Sequence, residues 1–146
     1  RDTVAAFVDD AVSKGAKLHC GGVRPDGPGF FYPPTVLSDV PDNAECLNDE
    51  IFGPVAALQT FADQDEVIAR ANATEYGLVA YVFSENMKRG MQVCEQLDFG
   101  MVGLNRGLVS DPAAPFGGTK QSGLGREGAH EGMLEFMETQ YISAEW

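Results

Sequence analysis

The sequence predicts an α/β fold: a parallel sheet with helices on both faces, closed by a C-terminal strand with no later partner in the chain. Three observations carry this expectation. Between Val55 and Leu104 short apolar runs alternate with amphipathic stretches, giving two strand–helix–strand units in succession. Residues 79–83 are five apolar residues in a row, the pattern of a strand covered on both faces. At 146 residues and 44% hydrophobic content, the chain has the size and the apolar share for a core.

The opening segment spaces Val4, Phe7, Val8, Ala11 and Val12 by threes and fours, one face of a helix, with Asp9, Asp10 and Lys14 elsewhere. Gly15 can take the left-handed conformation that ends a helix. Residues 16–20 read as a short strand before the Gly21-Gly22 turn. Residues 30–37 form a second extended stretch, kept irregular by Pro33 and Pro34, which lack amide donors. An apolar run over 55–58 leads to Asp63 and Glu66, spaced as a capping box with Asp in the Ser/Thr role. Val67, Ile68 and Ala71 continue that helix. After the 79–83 strand, Ser84 is placed to cap a helix whose Met87, Met91, Cys94 and Leu97 recur at helical steps. Residues 101–104 form the next strand, joined by right-handed crossovers. The tail alternates once more, a helix over 129–137 and a strand over 140–143.

Charge and cysteine usage narrow the function. The formal charge of −12, from 22 acidic and 10 scattered basic residues, argues against nucleic acid or an anionic membrane surface as partner, since both require clustered Lys and Arg. No apolar run approaches the ~20 residues of a bilayer span, and no secretory signal is visible. Cys20, Cys46 and Cys94 form an odd set without a C-x-x-C pair, which points away from zinc spacings and disulfides and towards a reducing cytoplasmic setting. His19 and His130 stand alone, so no metal site is expected.

Two stretches carry candidate chemistry. Residues 50–55 read E-I-F-G-P-V. An ionised Glu50 is acceptor-only and takes hydrogen bonds from two neighbouring hydroxyls, as a ribose presents them. Phe52, two residues on along an extended chain, offers a flat face on the same side. Gly53 permits close approach, and Pro54 stiffens the backbone beyond it. Spacing alone is equally compatible with a solvated Glu ahead of a buried Phe.

The second stretch, N-R-G-L-V-S-D-P-A-A-P-F-G-G over 105–118, leaves a strand at the end where α/β proteins place ligands. Ser110 is either a hydroxyl donor there or a turn residue ahead of Asp111-Pro112. Gly123, Gly125 and Gly128 spell G-x-G-x-x-G. They come after the polar loop 117–122 instead of a buried strand, and the chain nearly runs out, so the dinucleotide reading is rejected. Arg126 and Glu138, by residue type alone, are solvated surface charges. A reactive thiol needs a cation or helix N-terminus nearby. Cys94 sits on an apolar helix face, Cys20 ends a strand, and Glu45 and Asp49 flank Cys46 and would raise its pKa, so all three are expected to be structural.

E-I-F-G-P-V and, later in the chain, P-F-G-G-T-K-Q-S-G-L-G-R-E over 115–127 resemble the aldehyde dehydrogenases, over the whole 146 residues but only the last portion of the family's length. The wording is most similar to the succinate-semialdehyde branch. The resemblance implies oxidation of an aldehyde to an acid through a cysteine thioester, with NAD or NADP as cofactor. It also implies that Glu50 holds the nicotinamide ribose, Phe52 packs beside the nicotinamide, Phe116 faces the reactive centre and Ser110 helps bind the substrate's distant carboxylate. Arg126 and Glu138 would belong to an ionic network near a subunit interface. Residues 1–126 would be the end of the catalytic domain, and 127–146 a helix and oligomerisation strand of a homo-oligomer, a dimer or tetramer. The family's nucleophile lies in a G-Q-x-C stretch, which this sequence lacks, and the dinucleotide-binding domain precedes these motifs. No catalytic residue is therefore assigned, and the 146 residues alone are expected to be inactive. A non-catalytic interaction or oligomerisation module of the same fold is the second reading.

Overall fold

The computed structural model describes residues 1–146, divided into two compact units, Arg1–Ala62 and Asp63–Trp146. In the first, α1 (Asp2–Ser13) precedes β1 (Lys17–Cys20), β2 (Thr35–Ser38), a 3-10 turn (Glu45–Leu47) and β3 (Val55–Ala57). α1 buries Val4, Phe7, Val8 and Ala11, the face picked out by their spacing. It ends in a Schellman arrangement. Gly15 has φ +111°, its amide donates to Val12 O at 3.0 Å, and the Ala16 amide donates to Ala11 O at 2.9 Å. The buried face packs with Leu37, Val40, Ala44 and Cys46 into the core of this unit. Full burial of a side chain such as Leu37 contributes roughly 1.5–3 kcal/mol.

Asp10 fastens the 3-10 turn to α1. Its carboxylate accepts from Lys14 Nζ at 2.6 Å and from the Glu45 amide at 2.9 Å. Lys14 first, then the Glu45 amide, holds this carboxyl below the ordinary aspartate range. The stabilisation is complete above that range and is lost as pH falls through the lowered folded value.

The sheet of the first unit has the order β1-β2-β3. β2 and β3 are parallel, Thr35 opposite Val55 and Leu37 opposite Ala57, as the fold class requires. β1 and β2 are antiparallel, a departure from the expected parallel sheet. Residues 21–34, which join the two strands, contain no helix.

The second unit runs α2 (Gln64–Asn72), β4 (Tyr76–Gly77), β5 (Val79–Val82), α3 (Met87–Gln96), β6 (Met101–Leu104), β7 (Thr119–Lys120) and α4 (Glu131–Leu134). Asp63 caps α2 as expected, accepting from the Glu66 amide at 3.0 Å. α3 is capped by Asn86 instead of Ser84: Asn86 Oδ1 accepts from the Arg89 amide at 3.0 Å, and Ser84 Oγ accepts from the Asn86 amide at 3.2 Å. β5, α3 and β6 form one strand–helix–strand unit with parallel strands. The other expected unit is not formed, because β3 pairs with β2 and β5 with β6 in separate sheets.

Several expectations meet tertiary limits. β5 is not covered on both faces, since Tyr81 is 43% exposed. α4 is shorter than the helix expected over 129–137, because Gly128 and Ala129 have positive φ, +68° and +50°, which excludes a helical start there. The strand expected over 140–143 is not formed: residues 138–146 have no regular structure, and Tyr141 is 87% exposed. A strand exists only through hydrogen bonds to a neighbour, and no neighbour within the chain reaches it. Beside the boundary at 126/127, Phe116 and Glu127 exchange both backbone hydrogen bonds, at 2.8 and 2.7 Å. No helix is long and apolar enough to cross a membrane.

Candidate functional site

The Glu50–Pro54 turn belongs to the first unit. Glu50 is exposed, and Phe52 is 85% exposed, so the buried-Phe alternative is not what the chain adopts. The backbone is not extended here either: Phe52 has φ +45°, a left-handed conformation rare for an aromatic residue and costly by roughly 1–3 kcal/mol. Two contacts hold it. Gly53 lies against Val4 so closely that a Cβ would stand 2.6 Å from Val4 Cγ2. Pro54 O accepts from the Thr35 amide at 2.8 Å, locking the turn to the edge of β2. The result is an exposed carboxylate and an exposed aromatic face on a turn anchored at its far end.

The remaining candidates lie in the second unit. β6 delivers the chain to Asn105, whose φ is +53° and whose side chain clamps Ser84, accepting from its amide and donating to its carbonyl, each at 2.8 Å. The next loop turns at Asp111, whose Oδ1 accepts from the Ala113 amide at 2.9 Å. Asp111 thus closes the turn, while Ser110 is exposed and its hydroxyl engages no partner within the chain. The Ala129 amide donates to Pro112 O at 3.1 Å and ties the turn to the tail.

Phe116 and Arg126 come together. They line an open groove of about 440 Å³ with Leu78, Leu124, Glu135 and Phe136. Arg126 Nη1 donates to Gly118 O at 2.8 Å and Gly125 O at 2.7 Å, and the Arg126 amide donates to Glu135 Oε1 at 3.2 Å. The expected Arg126–Glu138 pair is not formed in this chain. Arg126 Nη1 is engaged by backbone carbonyls, and Glu138 is exposed in a tail without regular structure. Arg126 is therefore a peg for the turn at Gly123–Gly128, whose three motif glycines all have positive φ. Neither Ser110 nor Glu138 lines the groove.

Cys46 is buried, and burial first, then the Asp10 charge, pushes its thiol up. The direction is the one expected from sequence, but the cause is the core and not the flanking acids. Alkylation by iodoacetamide at neutral pH is expected to be much slower at Cys46 than at the exposed Cys20. Peptide mass spectrometry over time reads both sites, and equal rates would contradict the burial argument. His19 Nε2 lies 2.7 Å from Ser38 Oγ, a cross-strand hydrogen bond.

Two residues escape sequence reasoning. Asn105 has a weak signal, an Asn directly after an apolar strand, where the left-handed region is most readily reached by Asn or Gly. Lys120 has none, because its partners come from segments distant in sequence.

The family is defined by comparison with known proteins. The aldehyde dehydrogenase family profile matches residues 1–142, and the chain belongs to that family. It is 56% identical over 142 residues to a succinate-semialdehyde dehydrogenase of Paenarthrobacter nicotinovorans, covering 97% of this chain and 32% of that protein. It is 49% identical over 139 residues to a glutarate-semialdehyde dehydrogenase of Pseudomonas aeruginosa, covering 95% of this chain and 29% of that protein. Among solved structures, an NADP-dependent enzyme of E. coli superposes with a TM-score of 0.91 at 44% identity, covering 97% of this chain and 29% of the other. The chain thus spans about a third of the length of the relatives it matches.

Proposed function

We propose that the whole protein to which these residues belong is an NAD(P)-dependent aldehyde dehydrogenase of the cytoplasm, oxidising a short acid-bearing semialdehyde such as succinate semialdehyde. The observation that carries the reading is the Glu50–Pro54 turn, a strained and anchored backbone that presents a carboxylate and an aromatic face to solvent. That donor set fits a nicotinamide riboside: Glu50 accepts from the two ribose hydroxyls, and Phe52 lies against the ring. When bound, the nicotinamide supplies the hydride acceptor. Glu50 and Phe52 orient it, and Ser110 donates to the substrate's distant carboxylate. Phe116 forms part of the apolar wall that keeps water from the reacting carbon. The nucleophile, a cysteine forming the thioester, belongs to the part of the protein outside these residues.

The test is reduced-nicotinamide absorbance with succinate semialdehyde and either cofactor. The intact enzyme is expected to turn over and the 146 residues alone to be silent. Turnover by the short chain that disappears on replacing one of its three cysteines would sink this division of labour.

The same reading makes the tail an assembly element, which is also what the second reading, a non-catalytic interaction module, requires. Tyr141 and Ile142 are 87% and 76% exposed, and an open apolar segment invites strand pairing with a second copy. Ending the intact enzyme after Glu138 is expected to lower its oligomeric order without unfolding it. Light scattering on both forms decides the point, because an unchanged mass would mean that the tail docks within its own subunit.

A further inference from the structure

The ammonium of Lys120 sits in a built cage. Nζ donates to Asn72 O at 3.0 Å and Thr74 O at 3.2 Å, and it pairs with Asp98 Oδ2 at 3.2 Å. The Phe99 ring centroid lies 5.5 Å away. An ammonium has three donors, and here each finds an oxygen, with an aromatic face beside them. The side chain is only 20% exposed, and its backbone is held at φ +54°, a conformation a non-glycine residue adopts only under constraint. These partners come from two places: the residues just after α2 and its last turn, and the connection from α3 to β6. The cage therefore nails β7 to both.

The ribbon leading into β7 starts at Phe116, which is fixed at its own end by the Glu127 bridge, while Gly118 O takes Arg126 Nη1. Thr119 Oγ1 donates to Asp98 O at 3.3 Å, beside the carboxylate that pairs with Lys120. The ribbon that carries Phe116 is thus held by hydrogen bonds at both ends. We infer that Lys120 is a positioning residue, whose caged ammonium sets the ribbon that aims Phe116 at the substrate. The inference rests on the dehydrogenase reading above, in which Phe116 is part of the substrate wall.

The experiment uses the intact enzyme. Lys120→Ala is expected to lower kcat/KM for the aldehyde by between about tenfold and a hundredfold, the cost of a displaced substrate contact, and to leave the cofactor KM nearly unchanged. Propylammonium, which replaces the missing chain and charge, should restore a large part of the loss. Lys88→Ala, at an exposed lysine of α3, should change neither activity nor its response to the amine. If Lys120→Ala does not fold, Asp98→Asn removes the counter-charge from the same cage and should weaken aldehyde use in the same selective way. An active enzyme indifferent to Lys120→Ala, losing cofactor and aldehyde use alike, or unrescued by the amine, overturns the inference alone. So does a folded Asp98→Asn enzyme with unaltered kinetics. Inactivity of the unsubstituted enzyme overturns the dehydrogenase reading, and this inference with it.

Discussion

Glu50→Gln in the intact enzyme is expected to slow turnover by about a hundredfold while cofactor affinity changes far less. The amide keeps the shape of the carboxylate but not its acceptor-only character, so it cannot take two charge-assisted hydrogen bonds from a pair of neighbouring hydroxyls. The turn itself should survive, because it is held by Gly53 against Val4 and by Pro54 O, and Glu50 takes no part in either contact. Affinity should survive as well, since in the proposed enzyme the adenosine half binds outside these residues. Single-turnover and steady-state rates, set beside cofactor titrations, separate the two quantities. A full rate in Glu50→Gln would reduce Glu50 to a surface acid.

Ser110→Ala is expected to raise KM for acid-bearing semialdehydes by about ten- to a hundredfold and to leave neutral aldehydes of similar length almost untouched. A hydrogen bond to a charged group is worth roughly 1.5–3 kcal/mol, which gives that range. The local turn gives no competing explanation, because Asp111 closes it and the Ser110 hydroxyl has no partner in the chain to lose. KM for both substrate types on both enzymes is the measurement. Equal effects would refute a carboxylate role.

Glu50 and Ser110 are positions that motifs propose, and the contacts of the other candidate residues were less legible. Arg126 illustrates why. A charged residue in a glycine-rich turn invites an acidic partner, yet its guanidinium ends on Gly118 O and Gly125 O, carbonyls that the turn itself exposes. Phe52 illustrates a second limit, since its left-handed backbone is no preference of Phe and lies next to Gly53, which packs against Val4 of α1. Asn86 and Ser84 show a third: two capping residues stood within reach of one helix start, and the one nearer the helix won.

The sequence by itself determined the buried face of α1, the Gly15 stop, the Asp63 cap and the motif of the family to which the chain belongs. These depend on rules that act within a turn or two of chain: side-chain period, dihedral preference and cap chemistry. Only the tertiary structure decided which strand lies beside which, that β1 runs antiparallel to β2, that the core pushes the Cys46 thiol up, and that Lys120 is caged by residues 21 to 48 positions away. Hydrogen bonds and burial between distant segments are settled by where the chain returns, and no local pattern encodes the address of a partner that has yet to arrive.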